Sequence, residues 1–381
     1  MSLIFVNYAL ETFTPTHSGA LATIIYEICR CAQRDGITPT VITRRSPQPS
    51  FSGVHTHFID YAEPTSGIGI SIARAKRRFG GWRHLNHHVY GSRVARAICD
   101  LSGQTGTLVL FNDPELTVYL RRRFPSARIL HWFQNQHGCK PRFRSAFGKA
   151  ATTVLAVSNF TARWVERAYE LRADSVRVVP NGVDTELFQP AVVPPAGPPV
   201  INFVGRTGIE KGPDVFLQAA LALTQRTTNF SLQLLGSNHW DRFELDAYQQ
   251  QLQSLTAALE HRGVSVRRPG HIGRSALPAE LCRAHIHVVP ARWDEPFGMT
   301  TIEGMASGLA TIASRTGGTP EVVGDAAILF ERESVESLSQ HLESLLTDSE
   351  LRNDYARRGR KRAEMFSWQN TWSHLRRIME I

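Results

Sequence analysis

Residues 189–199 read "QPAVVPPAGPP", and five prolines in eleven positions bar both a continuing helix and an interior sheet strand. Whatever folds on either side must complete its core within its own stretch of chain. At 381 residues the chain is long for one ordinary core and suits two. The stretch is therefore expected to be a hinge between a domain over 1–188 and a domain over 200–366. A final helical segment, 367–381, is expected to pack back on the first domain.

On both sides of the hinge, short β-branched runs alternate with longer amphipathic ones. Before it, "LIFVNY", "PTVITR", "TLVLFN", "ARILHWF", "TTVLAVS" and "VRVVPNGV" have the character of strands. Between them "ALATIIYEICRCAQR", "GSRVARAICDL", "ELTVYLRRRF" and "NFTARWVERAYE" carry helical spacing. After it the strands are "VINFVG", "FSLQLLG", "VSVRRPG", "HIHVVPA", "LATIAS" and "AAILF", with helices expected over 334–347, 349–365 and 367–380. Such alternation predicts an α/β chain with two doubly wound, Rossmann-like parallel sheets. Ligands of such sheets sit outside the carboxyl ends of the strands, which here would face each other across a cleft.

Composition excludes some classes. A hydrophobic share of 42% against 20% charged residues is that of a folded soluble chain, not a disordered one. The net charge is +9, and lysine supplies only five of the 43 cationic residues, so the excess is arginine. It reflects either a compositional bias or a surface that meets anions. The five cysteines are scattered without zinc-site spacing, which points to a reducing compartment. "MSLIFVNYAL" has no basic lead-in and reads as a first strand, and no apolar run reaches membrane-spanning length. A cytoplasmic location is expected. "ALETFTPTHSGA" lacks the G-x-G-x-x-G of a dinucleotide oxidoreductase, and the absence of a recognisable nucleic-acid module predicts no nucleic-acid partner.

Three stretches of the second half lie where a strand hands over to a helix. In "FVGRTGIEKGPDVFLQAA", Arg206 and Lys211 flank a glycine-rich turn beside a helix start, which suits a pyrophosphate. In "DEPFGMTTIEGMASG", Glu295 and Glu303 stand eight positions apart around a second helix start. Thr300-x-x-Glu303 has the spacing of a capping box, yet a carboxylate there also suits the hydroxyls of a sugar or ribose. In "SRTGGTPEVVGDAAILF", Gly317-Gly318 makes a tight turn before Glu321.

Together with "VSNFTARWV" and "VPNGVDTELFQP" in the first half, these stretches resemble the family 4 retaining glycosyltransferases, enzymes of GT-B fold that use nucleotide sugars. The resemblance implies that Arg206 and Lys211 hold the donor diphosphate and that Glu295 binds hydroxyls of the transferred sugar. It implies that Phe297, Gly298, Met299 and Thr300 offer main-chain amides, that Glu303 grips the ribose, and that Ile272 belongs to the donor site. Gly19 would lie beside the donor phosphates, although the family's Gly-Gly is here Gly19-Ala20. A catalytic histidine is implied in "ILHWFQNQHG", with His131 and His137 both available and His131 preferred.

The implied reaction transfers a hexose from a nucleoside diphosphate, UDP before GDP, to a saccharide or lipid-linked saccharide. Another GT-B enzyme, such as a sugar-nucleotide epimerase or phosphorylase, is the alternative. No Asp-x-Asp pair stands at a strand end, so no obligatory metal or other cofactor is expected. The basic stretch 68–84, with Arg74, Lys76, Arg77 and Arg78 beside Phe79 and Trp82, is either a peripheral contact with anionic membrane or a helix packed on its own sheet.

Overall fold

A computed structural model describes residues 2–16, 19–61, 82–101, 106–193, 195–238 and 245–380, the side chains of 82–88 excepted. It divides into two compact units, Met1–Pro180 with Thr371–Ile381, and Asn181–Asn370.

The first unit is built on a seven-stranded sheet in the order β3-β2-β1-β4-β5-β6-β7. Its strands are β1 (Leu3–Val6), β2 (Thr40–Arg44), β3 (His55–Ile59), β4 (Thr107–Phe111), β5 (Arg128–Phe133), β6 (Thr153–Ala156) and β7 (Arg177–Val178). Every pairing is parallel. Strands covered on both faces read as near-continuous apolar runs, and Val109, Leu110 and Phe111 of β4 are all buried. Ile4, Leu108, Leu110 and Ile129 pack against Val94 and Ile98 of the helix Trp82–Leu101 and Leu116 and Leu120 of the helix Pro114–Arg123.

The second unit repeats this winding in six strands, ordered β10-β9-β8-β11-β12-β13. They are β8 (Val200–Val204), β9 (Ser231–Leu235), β10 (Val266–Gly270), β11 (Ile286–Val289), β12 (Ala310–Ser314) and β13 (Ile328–Phe330), again all parallel. Phe203, Leu234, Val288 and Ile312 form its core with Val215 and Leu223 of the helix Pro213–Leu223 and with Leu338 and Leu342 of the helix Val335–Thr347. The helix Ser349–Glu364 starts on an Asp348 cap that accepts from the Leu351 amide. Strand order reverses between β8 and β11, which places the switch point of the sheet beside the loops that follow these two strands.

The division between units does not fall in the proline-rich stretch. It falls at Pro180 and again at Asn370, because residues 181–190 are fastened to the second unit. Val183 N–H donates to the Phe366 carbonyl at 2.7 Å, Arg360 donates to the carbonyls of Phe188 and Thr185, and Phe188 is fully buried. Residues 371–379 of the helix Trp368–Met379 belong to the first unit, where Trp372 and Arg376 both donate to Asp35 at 2.8 Å.

Of the basic stretch 68–84, residues 68–81 lie outside the described residues. Among the described residues no helix is long and apolar enough to cross a membrane.

Candidate active site

The second unit gathers its chemistry in the loops after β8, β9, β10 and β11. Past Val204 the chain turns at Gly205, whose φ of 156° avoids the cost a side chain would meet there. Gly236, at the matching place after β9, has φ 138°, and a β-carbon on it would come 1.9 Å from the Gly205 carbonyl oxygen. Gly236 can therefore come this close to Gly205 only without a side chain. Together with Arg206, Ser237, His271 and Ile272 they line a cavity of about 150 Å³ that opens outward. Arg206, half exposed, pairs with Glu210 at 2.8 Å.

Lys211 closes the short 3₁₀ turn Ile209–Lys211, and Gly212 then takes a left-handed conformation, φ 67°, to start the helix at Pro213. A β-carbon on Gly212 would lie 2.1 Å from the Pro290 carbonyl oxygen. The loops after β8 and β11 are thus in backbone contact, and Arg292 N–H adds a bond to the Glu210 carbonyl at 2.9 Å. The Arg292 guanidinium meets both oxygens of Asp214 at 2.5 and 2.7 Å, and Tyr248 donates to the same carboxylate. Burial would raise the Asp214 pKa, but these bonds outweigh it and hold the group below its usual value.

This fastening brings Lys211 and Glu295 together. Lys211 Nζ lies 2.5 Å from Glu295 Oε1, and the carboxylate is nearly out of solvent. The third sequence stretch then has a role. Gly317, at φ 53°, passes so close beneath this loop that a β-carbon would stand 2.2 Å from the Glu295 carbonyl oxygen, and Gly318 N–H donates to that oxygen at 2.7 Å. The glycine pair is the floor on which Glu295 rests.

The helix Met299–Ala306 begins after Gly298, whose φ is 90°. Phe297 is buried, and the first amides of the helix lack an intrahelical acceptor. Thr300 lies inside the helix and gives no side-chain cap, so the capping-box reading is corrected. Glu303 instead accepts from Arg274 at 2.8 Å, and the Arg274 guanidinium stands over the Phe188 ring. The structure places Arg206, Lys211, Glu295 and Ile272 in neighbouring loops and Glu303 in the helix that follows one of them. Sequence reasoning missed Gly236, Arg274 and Trp293. A glycine closing a strand of a doubly wound sheet was an available signal for the first; nothing local marked the other two.

In the first unit two expectations change. His131, on β5, is fully buried between Phe133 and Phe147, with Nδ1 2.7 Å from Thr117 Oγ1. Burial lowers its pKa to about 3, so it is a neutral core histidine out of reach of a ligand, and the catalytic assignment is withdrawn. His137 lies in the loop after β5, half-buried, with its ring against Tyr8.

Gly19 precedes the helix Ala20–Arg34, and a β-carbon on it would come 2.7 Å from Glu11 Oε1. This helix start is occupied by the chain's own carboxylate, which accepts from the Ala22 amide while Oε2 is buried without a hydrogen-bond partner among the described residues. Burial raises the Glu11 pKa to about 7, against the Ala22 bond and the Arg44 charge. A raised carboxyl pKa gives stability that is complete below the unfolded value and lost as pH climbs through about 7. Glu11→Gln is expected to remove that decline, on the order of 2–3 kcal/mol between pH 5 and 8. Urea unfolding across this range checks it, and parallel pH curves for parent and variant would contradict the burial.

The sequence matches the family model described as glycosyl transferases group 1 over residues 184–362 and that of glycosyltransferase family 4 over residues 21–187. The chain belongs to the group 1 glycosyltransferases. The glycosyltransferase is 25% identical over 386 aligned residues to the lipopolysaccharide 1,2-N-acetylglucosaminetransferase of Salmonella typhimurium, covering 97% of this chain and 95% of that one. It is 30% identical to the D-inositol 3-phosphate glycosyltransferase of Corynebacterium glutamicum, over 54% of this chain and about half, 52%, of that protein's length. The solved Anabaena Alr3699/HepE, in complex with UDP and glucose, has the same fold at a TM-score of 0.74 and 15% identity, covering 100% of this chain and 99% of that one. The fold class is accordingly GT-B.

Proposed function

We propose that this glycosyltransferase is a retaining hexosyltransferase that takes its sugar from UDP and passes it to a saccharide or lipid-linked saccharide, in the assembly of a polysaccharide or glycolipid on the cytoplasmic side of a membrane. The observation that carries the reading is the Lys211–Glu295 pair, held by backbone contacts beside the cavity that Arg206 and Ile272 line. The UDP and glucose of the Anabaena structure and the name of the Salmonella relative agree with it.

In the proposed reaction the bond between the sugar's anomeric carbon and the diphosphate oxygen breaks, and the acceptor oxygen bonds to that carbon on the same face. The departing diphosphate takes the acceptor's proton, so no strong protein base is required. Charge grows on the diphosphate as it leaves, and Arg206, Lys211 and the amides at Gly298–Thr300 stabilise it. Glu295 takes hydroxyls of the sugar as its ring gains positive charge, and Glu303 takes the ribose. No metal is needed for these roles.

Calorimetric titration should show UDP binding that is unchanged by EDTA. Arg206→Ala with Lys211→Ala should weaken it by roughly 30-fold or more, since two charge-assisted partners are lost. Equal affinity in the double variant would overturn the phosphate site. Transfer is checked with radiolabelled UDP- and GDP-sugars and membrane extract as acceptor source. Release of labelled product from none of them would overturn the reaction.

A further inference from the structure

The loop after β11 carries an aromatic side chain to which none of the roles above is given. Trp293 Nε1 donates to Glu295 Oε1 at 2.7 Å, the same oxygen that takes Lys211 Nζ at 2.5 Å. The Lys211 ammonium in turn stands 4.7 Å from the centroid of the Trp293 ring. One indole therefore touches both members of the pair, with its N–H edge on the anion and its face on the cation.

A carboxylate held by a single donor can still turn about its last bond and exchange its oxygens. Two donors converging on one oxygen from different directions remove that freedom. The main chain around the indole is itself pinned, because Arg292 N–H and Trp293 N–H both point at the Glu210 carbonyl. Lys211 also has to change partners when a diphosphate arrives. At that moment the indole N–H is the donor that stays on Glu295, and the ring face is the contact that Lys211 can keep while it swings.

We infer that Trp293 is a positioning residue of the transfer reaction: it commits Oε1 of Glu295 to the protein, leaves Oε2 for the sugar hydroxyls, and keeps Lys211 beside the leaving group. The inference rests on the donor-site reading above.

Two substitutions separate the edge from the face. Trp293→Phe keeps a ring under Lys211 and removes the N–H, whereas Trp293→Leu removes both. UDP affinity by calorimetry and the donor KM should stay within about twofold in Trp293→Phe, while kcat falls about tenfold or more. Trp293→Leu should lose the same turnover and bind UDP several-fold more weakly as well. A Trp293→Phe enzyme with parental kcat overturns the inference, and so does one that loses UDP affinity as fully as Trp293→Leu, which would make the residue a mere prop. The parent chain in the same titration keeps the two readings apart. If it does not bind UDP, the donor site itself is wrong and the inference falls with it; if it binds and transfers, only Trp293 is on trial.

Discussion

Glu295→Gln should bind UDP at least as tightly as the parent and turn over a hundredfold more slowly or worse. The carboxylate is the counter-ion of Lys211 in the ligand-free chain, at 2.5 Å. Replacing it by an amide removes a negative charge that a diphosphate would otherwise meet and frees the ammonium. The gain is bounded by solvent screening at partly exposed Lys211 and should reach about tenfold at most. Turnover moves the other way, because a fixed negative charge matters most where the sugar becomes cationic. Loss of such a group costs on the order of 3–4 kcal/mol in the barrier. Calorimetry and single-turnover rates on the same preparation provide the check. Weaker UDP binding with unchanged rates would place Glu295 in the nucleotide grip instead.

The second large effect concerns a residue without a side chain. Gly212→Ala places a methyl at φ 67° and 2.1 Å from the Pro290 carbonyl oxygen, so the loop after β11 must move. Left-handed backbone costs an alanine about 1 kcal/mol, and displacing backbone adds more, for a total of about 3 kcal/mol or higher. For a unit of this size the melting point should drop by roughly 6–12 °C. Gly263 provides the control. Its φ of 84° is just as left-handed, but nothing lies within 4 Å of a β-carbon there. Gly263→Ala should lose only roughly 2–4 °C. Equal losses in the two would mean that the loops after β8 and β11 are not in contact. A larger loss at Gly212, with UDP affinity gone as well, would tie the contact to the site.

Much of the fold was legible because both sheets are covered on both faces. The strand Thr107–Phe111 is apolar from Leu108 onward for that reason, and such runs stand out against helical spacing. The strand that escaped notice, His55–Ile59, sits at a sheet edge, and its sequence "HTHFI" carries too little apolar signal. The helix Ala247–His261 escaped because its face is rich in glutamine, with only Gln249, Leu252, Thr256 and Leu259 buried.

The site was legible in part, and its errors share a cause. Arg206, Lys211, Glu295 and Glu303 were found by local spacing, which records loops and helix starts. Thr300 was read as a cap by the same spacing, but Gly298 takes the left-handed turn that begins the helix one residue later. His131 lies in a strand, where direction alternates with each residue, and the string alone did not reveal which face it takes. Arg274 meets Glu303, and the Trp293 ring meets Lys211, across stretches distant in sequence, and no pattern within one loop encodes such a meeting.

Completion of the first unit has an order imposed by translation. Trp372 and Leu375 are fully buried in it, Trp372 and Arg376 bind Asp35, and Arg128 donates to the Ile378 carbonyl at 2.8 Å. A ribosome delivers these residues only after all of 181–370. Until then the surface that buries Trp372 stays open in a nascent chain, and Asp35 lacks these two donors. The second unit depends on no such late arrival. It can close its core first although it is made second, and the first unit is sealed only when residues 371–380 dock on it.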